Sequence, residues 1–115
     1  MKKLLALLAT LAVAAALAVP ALAATHTVKI GDNWFISRSG SHSLTVRHGT
    51  TIKFVWTGKR AHNVYQLSGP AGTHFHYPRN GTKKSGTFKR VFRKRGNYVI
   101  VCTIHQGMEM KLHVK

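Results

Sequence analysis

The stretch Tyr98–Met108, which reads YVIVCTIHQGM, contains a strand pattern followed at once by a cluster of metal-binding side chains. Its first half, Tyr98–Cys102, is a run of apolar and mostly β-branched residues, which predicts a buried strand. The second half brings Cys102, the only cysteine of the chain, together with His105 and Met108. A thiolate, an imidazole and a thioether within seven residues indicate a metal site at the end of that strand.

A second imidazole, His62, lies upstream in the segment Ala61-His62-Asn63-Val64. Two His, one Cys and a weak axial Met are the ligands of a blue-copper electron-transfer site. Thiolate and thioether favour Cu(I), whereas imidazole suits both oxidation states, so this mixture lets an electron pass with little rearrangement. A single cysteine cannot form an internal disulfide. It can form an intermolecular bridge, or be a reactive thiol, an inert buried thiol or a metal ligand. The neighbouring His and Met favour the metal.

The N-terminal 23 residues have the pattern of a secretory signal peptide. Lys2 and Lys3 precede the apolar run Leu4–Val19, and Ala21-Leu22-Ala23 is a small-x-small cleavage site. An uncleaved anchor is the alternative, but the run is short for a bilayer span of about 20 residues. We therefore expect residues 1–23 to be removed, residues 24–115 to form one domain without a transmembrane segment, and the protein to be periplasmic or extracellular.

The remaining chain reads as short strands separated by turn residues, with no helical period. Seven segments show the strand pattern: Thr25–Lys29, Ser43–Arg47, Thr50–Trp56, Ala61–Leu67, Thr87–Phe92, Tyr98–Cys102 and Met110–Val114. Residues 68–85 are rich in Gly and Pro and are predicted to form a long loop with one short helical turn at most. This pattern predicts an all-β protein, a Greek-key β-sandwich of seven to eight strands.

Several short motifs occur in the order found in a known family. They are Val28-Lys29-Ile30, Leu44-Thr45-Val46 followed by Gly49, Phe54-Val55-Trp56, His62-Asn63-Val64, Phe88 to Phe92, Gly96-Asn97-Tyr98 and the Cys102 loop. With them the chain resembles the cupredoxins, the small blue copper proteins, and especially the plastocyanin, pseudoazurin and amicyanin group. The resemblance implies a cupredoxin-like fold over residues 24–115. It also implies one type 1 copper ion that cycles between Cu(I) and Cu(II) in an exported one-electron carrier.

The same resemblance implies individual roles at the copper. His62 and His105 would bind through Nδ1 and Cys102 through its thiolate, and the edge of His105 would pass the electron. Asn63 would tie the two ligand loops together by pairing with Thr103, which orients ligands in such sites. The axial ligand would be Met108, with Met110 as the alternative. A copper carrier or detoxification protein without electron transfer is the alternative function.

His74 and His76 flank Phe75 in the long loop and could face one side of an extended segment. They could bind a second metal there, although a solvated loop is the simpler interpretation. We interpret His26, His42, His48 and His113 as surface residues.

The charge is strongly positive, since the chain has 18 Lys and Arg but only two acids, Asp32 and Glu109. The densest basic cluster comprises Lys89, Arg90, Arg93, Lys94 and Arg95. It is either a solvated face or a docking surface for an acidic redox partner or an anionic envelope polymer. The pattern of aromatic residues around these charges does not suggest base stacking, so we expect no nucleic-acid binding. Neither acid suits paired acid/base chemistry and no Ser/His/Asp pattern occurs, so we do not expect an enzyme. We expect the protein to be a monomer.

Overall fold

A computed structural model of the protein describes residues 24–115, and the predicted signal peptide, residues 1–23, lies outside the described residues. The described chain forms nine strands and no helix. Among these residues there is accordingly no apolar helix long enough to cross a membrane. The strands are β1 (Thr25–Gly31), β2 (Trp34–Phe35), β3 (Ser43–Val46), β4 (Thr50–Trp56), β5 (Val64–Ser68), β6 (His76–Tyr77), β7 (Thr87–Phe92), β8 (Gly96–Val101) and β9 (Glu109–Val114).

The strands form two sheets that pack face to face. One sheet has the order β2-β1-β4-β7 and the other β3-β9-β8-β5-β6. Parallel pairs, β1 with β4 and β3 with β9, stand beside antiparallel pairs in both sheets. The predicted all-β sandwich is confirmed, and each of the seven predicted strand segments contains or overlaps a strand. The added strands β2 and β6 have two residues each, too few for an alternating pattern to reveal them.

The core lies between the sheets because buried residues alternate along the strands. In β4, Ile52, Phe54 and Trp56 are buried, while Thr51, Lys53 and Val55 are partly exposed. In β9, Met110, Leu112 and Val114 alternate with exposed Glu109, Lys111 and His113 in the same way. Burying each large apolar side chain stabilises the fold by about 1.5 to 3 kcal/mol. The alternation therefore fixes which face of each strand looks inward.

The strand register places different chain segments at the two ends of the sandwich. Val101 pairs with Tyr65 and Glu109, so the end of β8 meets the beginnings of β5 and β9. We call this the metal end; it carries His62 and the loop 102–108. At the other end, Gly96 pairs with Val114 and Thr50 with Phe92. The six residues of β8 span about 20 Å between the two ends.

Candidate metal centre

The loop after β8 is closed by two hydrogen bonds of its own backbone. The Cys102 N–H donates to the Met108 carbonyl at 3.0 Å, and the Met108 N–H donates to the His105 carbonyl at 3.2 Å. Gly107 has a φ of +78°, in the left-handed region that glycine adopts at no steric cost. The turn brings Cys102 Sγ within 3.5 Å of His105 Nδ1.

His62 reaches the loop from the segment that precedes β5. Its backbone forms an isolated bridge with Lys83, in which each N–H donates to the other carbonyl at 2.9 and 3.0 Å. Trp56 Nε1 also donates to the His62 carbonyl at 3.3 Å. The His62 side chain is completely buried, and its Nδ1 lies 3.0 Å from Nδ1 of His105. The strand predicted over Ala61–Leu67 begins only at Val64 in the structure, so His62 precedes it.

The three donor atoms fit one metal ion. The ligand atoms of His62, Cys102 and His105 all lie within 4.8 Å of one another, and this is the one such group of three His, Cys, Asp or Glu side chains within residues 24–115. A metal binds imidazole nitrogen at about 2.0 Å and thiolate sulfur at about 2.3 Å, so a nitrogen and a sulfur donor on one ion are separated by up to roughly 4.3 Å. The separations of 3.0 Å between the Nδ1 atoms of His62 and His105, and of 3.5 Å between Cys102 Sγ and His105 Nδ1, lie within that limit. One thiolate with two imidazoles is the trigonal donor set that suits copper.

The two methionines occupy different places. Met108 lies in the closed ligand loop and is 1% exposed. Met110 lies on β9 opposite Ile100, outside that loop, and both methionines belong to the buried core. The position of Met108 between His105 and β9 makes its thioether the better candidate for an axial ligand.

Asn63 and Thr103 connect the two segments that carry the candidate ligands. Asn63 Nδ2 donates to Thr103 Oγ1 at 2.7 Å, and the Thr103 N–H donates to Asn63 Oδ1 at 2.8 Å. Asn63 Nδ2 also lies 3.3 Å from His76 Nε2. The Asn63 side chain thus holds the segment before β5 against the loop after β8.

The site is buried on one side and open on the other. Cys102 is 3% exposed, whereas His105 is only partly buried and borders a groove with Tyr65, Leu67 and Gly107. Burial, followed by the charge of His105, lowers the pKa of His62, while Asp32 acts against that shift. His62 is therefore held as a neutral imidazole, the form in which its Nδ1 can bind a metal.

Asp32 is a residue at this site that the sequence did not single out. Its carboxylate accepts the N–H groups of Lys59 and Arg60 at 2.9 and 2.8 Å and lies 3.8 Å from His62 Nε2. The hydrogen bond from Arg60, ahead of that from Lys59 and the charge of His62, lowers the pKa of Asp32. Its only cue in the sequence is that it is one of two acids.

The predicted basic cluster lies along β7 and in the turn after it. Arg93, Lys94 and Arg95 occupy the end of the sandwich opposite the metal end, close to His48, which accepts a hydrogen bond from Arg95 Nε at 3.3 Å. Arg90 covers the Phe75 ring at 4.4 Å and donates to the Thr73 carbonyl at 2.8 Å. The structure therefore separates much of this cluster from the candidate ligands.

The histidines of the long loop surround an aromatic ring. His74 and His76 both pack edge-on against Tyr65, with ring centroids 5.0 and 5.2 Å away.

The four histidines interpreted as surface residues are all exposed: His26, His42, His48 and His113.

A family model described as copper binding proteins, plastocyanin/azurin family, matches residues 24–115. No curated protein matches the chain significantly in sequence. Among solved structures, a mutant plastocyanin of fern has 25% identity and a TM-score of 0.61, with 78% of this chain and 100% of that chain covered. A reduced mutant of amicyanin has 24% identity and a TM-score of 0.60, with 79% and 82% covered.

A copper-containing nitrite reductase from Thermus scotoductus SA-01 is also similar in structure. It has 24% identity and a TM-score of 0.61 over 77% of this chain. The present chain spans only 22% of that enzyme. These structural similarities support the cupredoxin fold, while the family model covers every residue around the site.

Proposed function

The chain belongs to the plastocyanin/azurin family of copper-binding proteins, and from this premise we propose that it is an exported, monomeric one-electron carrier. One copper ion is its cofactor. When bound, copper supplies the chemistry by alternating between Cu(I) and Cu(II). The observation that carries the proposal is the convergence of three candidate ligand atoms within 4.8 Å at one end of a rigid sandwich.

His62 Nδ1, His105 Nδ1, Cys102 Sγ and the thioether of Met108 would hold the copper ion. The buried His62 is held through its backbone by Lys83 and Trp56, and the ligand loop is closed by its own hydrogen bonds. Because these constraints do not depend on the metal, the donors need little movement when the oxidation state changes. An electron carrier needs ligands that move little between the two oxidation states, whereas a protein that only stores the ion has no such requirement.

The electron would enter and leave at the partly exposed edge of His105. Exposed apolar side chains of Ile104 and Leu67 lie on the same end, at 53% and 59% exposure. A partner that covers them would bring its own redox centre close to the ligand. The carboxylate of Asp32, in the turn after β1, is held by backbone donors, and Glu109 is exposed at the start of β9, so we assign neither an acid/base role. This arrangement supports electron transfer without substrate chemistry.

The test is reconstitution of residues 24–115 with copper. We expect one copper per chain and an intense visible band from the copper–thiolate bond. A reductant should bleach this band and an oxidant should restore it, and voltammetry should show a reversible one-electron couple. Cys102→Ala should lose the band, while Met110→Leu, a change in the core, should keep it. Copper binding without a reversible redox couple would favour the carrier or detoxification alternative and overturn the proposal.

We further propose that the two ends of the molecule have separate tasks. The basic end comprises the exposed residues Arg47, Arg93, Lys94, Arg95 and Lys115, brought together where His48 N–H donates to the Lys115 carbonyl at 2.8 Å. Both acids lie at the metal end, Asp32 against His62 and Glu109 opposite Val101. An anionic envelope surface would attract the basic end by about 1 kcal/mol per Lys or Arg and leave His105 free.

Charge reversal at each end distinguishes the tasks. Arg93→Glu with Arg95→Glu should abolish the salt-sensitive binding to vesicles containing anionic lipid while the electron self-exchange rate hardly changes. Lys83→Glu with Lys84→Glu, the matched change near the metal end, should keep most of the vesicle binding. Equal losses from both pairs would show that only net charge matters. Loss of binding to an acidic protein, but not to vesicles, would identify a protein partner instead.

Residues 1–23 are proposed to direct export and to be cleaved after Ala23. Expression of the full chain in a host with a secretory pathway, followed by N-terminal sequencing of the exported product, tests this assignment. A mature protein that begins at Ala24 supports it, and retention of the full chain in the membrane would support the uncleaved anchor.

A further inference from the structure

The imidazole of His62 has one nitrogen whose environment the copper site leaves unexplained. Its Nδ1 faces His105, and its Nε2 is buried with no hydrogen-bond partner within the described part of the chain. An unpartnered buried polar atom is costly, so such an atom calls for an explanation. The carboxylate of Asp32 faces this atom, and its Oδ1 lies 3.8 Å from Nε2, a distance of charge attraction longer than a hydrogen bond.

The carboxylate is held in this place by the turn that precedes His62. The N–H groups of Lys59 and Arg60 both donate to Asp32 Oδ1. Gly58 allows the turn to approach, because a Cβ at this position would lie 2.3 Å from Asp32 Oδ1 and 2.8 Å from the Asp32 nitrogen. Three residues of one turn are therefore arranged around a single carboxylate on the outer side of the His62 ring.

We propose that Asp32 is a positioning residue of the copper site, which keeps the proton of His62 on Nε2 and places a negative charge behind this ligand. The inference rests on the proposed role of His62 as a copper ligand. A histidine that binds metal through one nitrogen commonly donates its other N–H to a carboxylate, which fixes the tautomer and raises the basicity of the ligand. Such a ligand stabilises Cu(II) more than Cu(I).

Because the rest of the protein is strongly positive, this carboxylate should have a large effect on the balance between Cu(II) and Cu(I). Lys and Arg number 18 in the whole chain, and positively charged surroundings disfavour the more highly charged Cu(II). Glu109, the only other acid, is exposed at the start of β9 and borders the groove beside His105, but within residues 24–115 it forms no ion pair with a histidine ring. One third of the Asp32 side chain is exposed, so solvent reduces its effect without removing it.

The test compares Asp32→Asn with Glu109→Gln in the copper protein. Both changes remove one negative charge at the metal end, and Asn can still accept the N–H groups of Lys59 and Arg60. Loss of the carboxylate should weaken Cu(II) binding relative to Cu(I) by about tenfold. That factor corresponds to a rise of the reduction potential by about 59 mV for a one-electron couple. Glu109→Gln should cause a clearly smaller rise.

A second readout follows the proton itself. In the diamagnetic Cu(I) protein, the His62 Nε2–H resonance should exchange slowly with solvent, and Asp32→Asn should shift it upfield while Glu109→Gln leaves it in place. If Asp32→Asn does not fold, Gly58→Ala replaces it, because the added Cβ displaces the carboxylate but keeps its charge. The potential should then rise as well.

The outcomes separate this inference from the proposed function. Equal potentials in Asp32→Asn and Glu109→Gln, or an unchanged potential in Gly58→Ala, would overturn the role of Asp32 while the blue copper protein remains. Absence of a copper–thiolate band in the unmodified protein would instead overturn the proposed function.

Discussion

Asn63 and Thr103, 40 positions apart in the chain, hold each other by two hydrogen bonds of 2.7 and 2.8 Å. Each residue directly follows a candidate ligand, His62 or Cys102. The pair therefore fixes the separation between two candidate ligands that come from different segments, one before β5 and the other after β8. Asn63 is 3% exposed, so water cannot readily replace its partner.

Removing this pair should loosen the copper site. Asn63→Ala loses both hydrogen bonds and should reduce the free energy of unfolding by about 2 kcal/mol. Copper affinity should fall by about 10- to 100-fold, because residues that orient ligands have effects of this size. Thr103→Val loses only the bond to Oγ1 and should have an intermediate effect, and Thr103→Ser should behave like the unmodified protein. Denaturant unfolding and copper competition titrations measure the losses of stability and of copper affinity. A ranking other than Asn63→Ala, then Thr103→Val, then Thr103→Ser would contradict this role.

The two methionines should respond differently to the same substitution. Met108→Leu removes the candidate axial thioether, so the optical spectrum and the reduction potential should both change. Met110→Leu conserves core volume and should cost less than about 1.5 kcal/mol of stability. It should leave the spectrum unchanged. Absorption spectra and voltammetry of the two variants decide between the ligands, and the reverse result would assign Met110.

The stability of the copper-free protein should depend on pH through His62. Burial lowers the pKa of His62, so the folded state holds the ring neutral while the unfolded chain takes up a proton near pH 6.5. Below that value the unfolded state binds more protons, so the free energy of unfolding should fall as the pH decreases from about 6.5.

Urea unfolding between pH 5 and 8 measures this dependence. His62→Gln should flatten it, whereas the exposed-surface change His26→Gln should not. The same slope in all three proteins would show that another group is responsible.

Two glycines with positive φ should differ in their tolerance of a side chain. Gly49 has a φ of +86°, and no atom lies within 4 Å of the place that a Cβ would take, so Gly49→Ala should cost only backbone strain, about 1 to 2 kcal/mol. Gly96 has a φ of +146°, and its Cβ would lie 2.7 Å from Pro70 Cγ. Gly96→Ala should therefore be the more destabilising change, by thermal or urea unfolding. Equal losses would mean that Pro70 moves aside freely.

Much of the fold was readable from the sequence because its signals are local. Alternation along Thr50–Trp56 and Met110–Val114 reports which residues face the core, and the structure confirms both strands. The copper cofactor was also predicted correctly, since a thiolate, an imidazole and a thioether are close in the chain. The strands β2 and β6 escaped prediction because two residues are too few to show a period.

The sequence by itself determined the class of fold and the type of metal, since both depend on residue type and short spacing. The tertiary structure alone placed Asp32 behind the ring of His62 and closed the ligand loop around Met108, while it paired Met110 with Ile100 on β9. It also separated the turn Arg93–Arg95 from the candidate ligands by the length of β8. These relationships depend on strand pairing between distant segments, and no local pattern encodes which side chains a sheet register brings together.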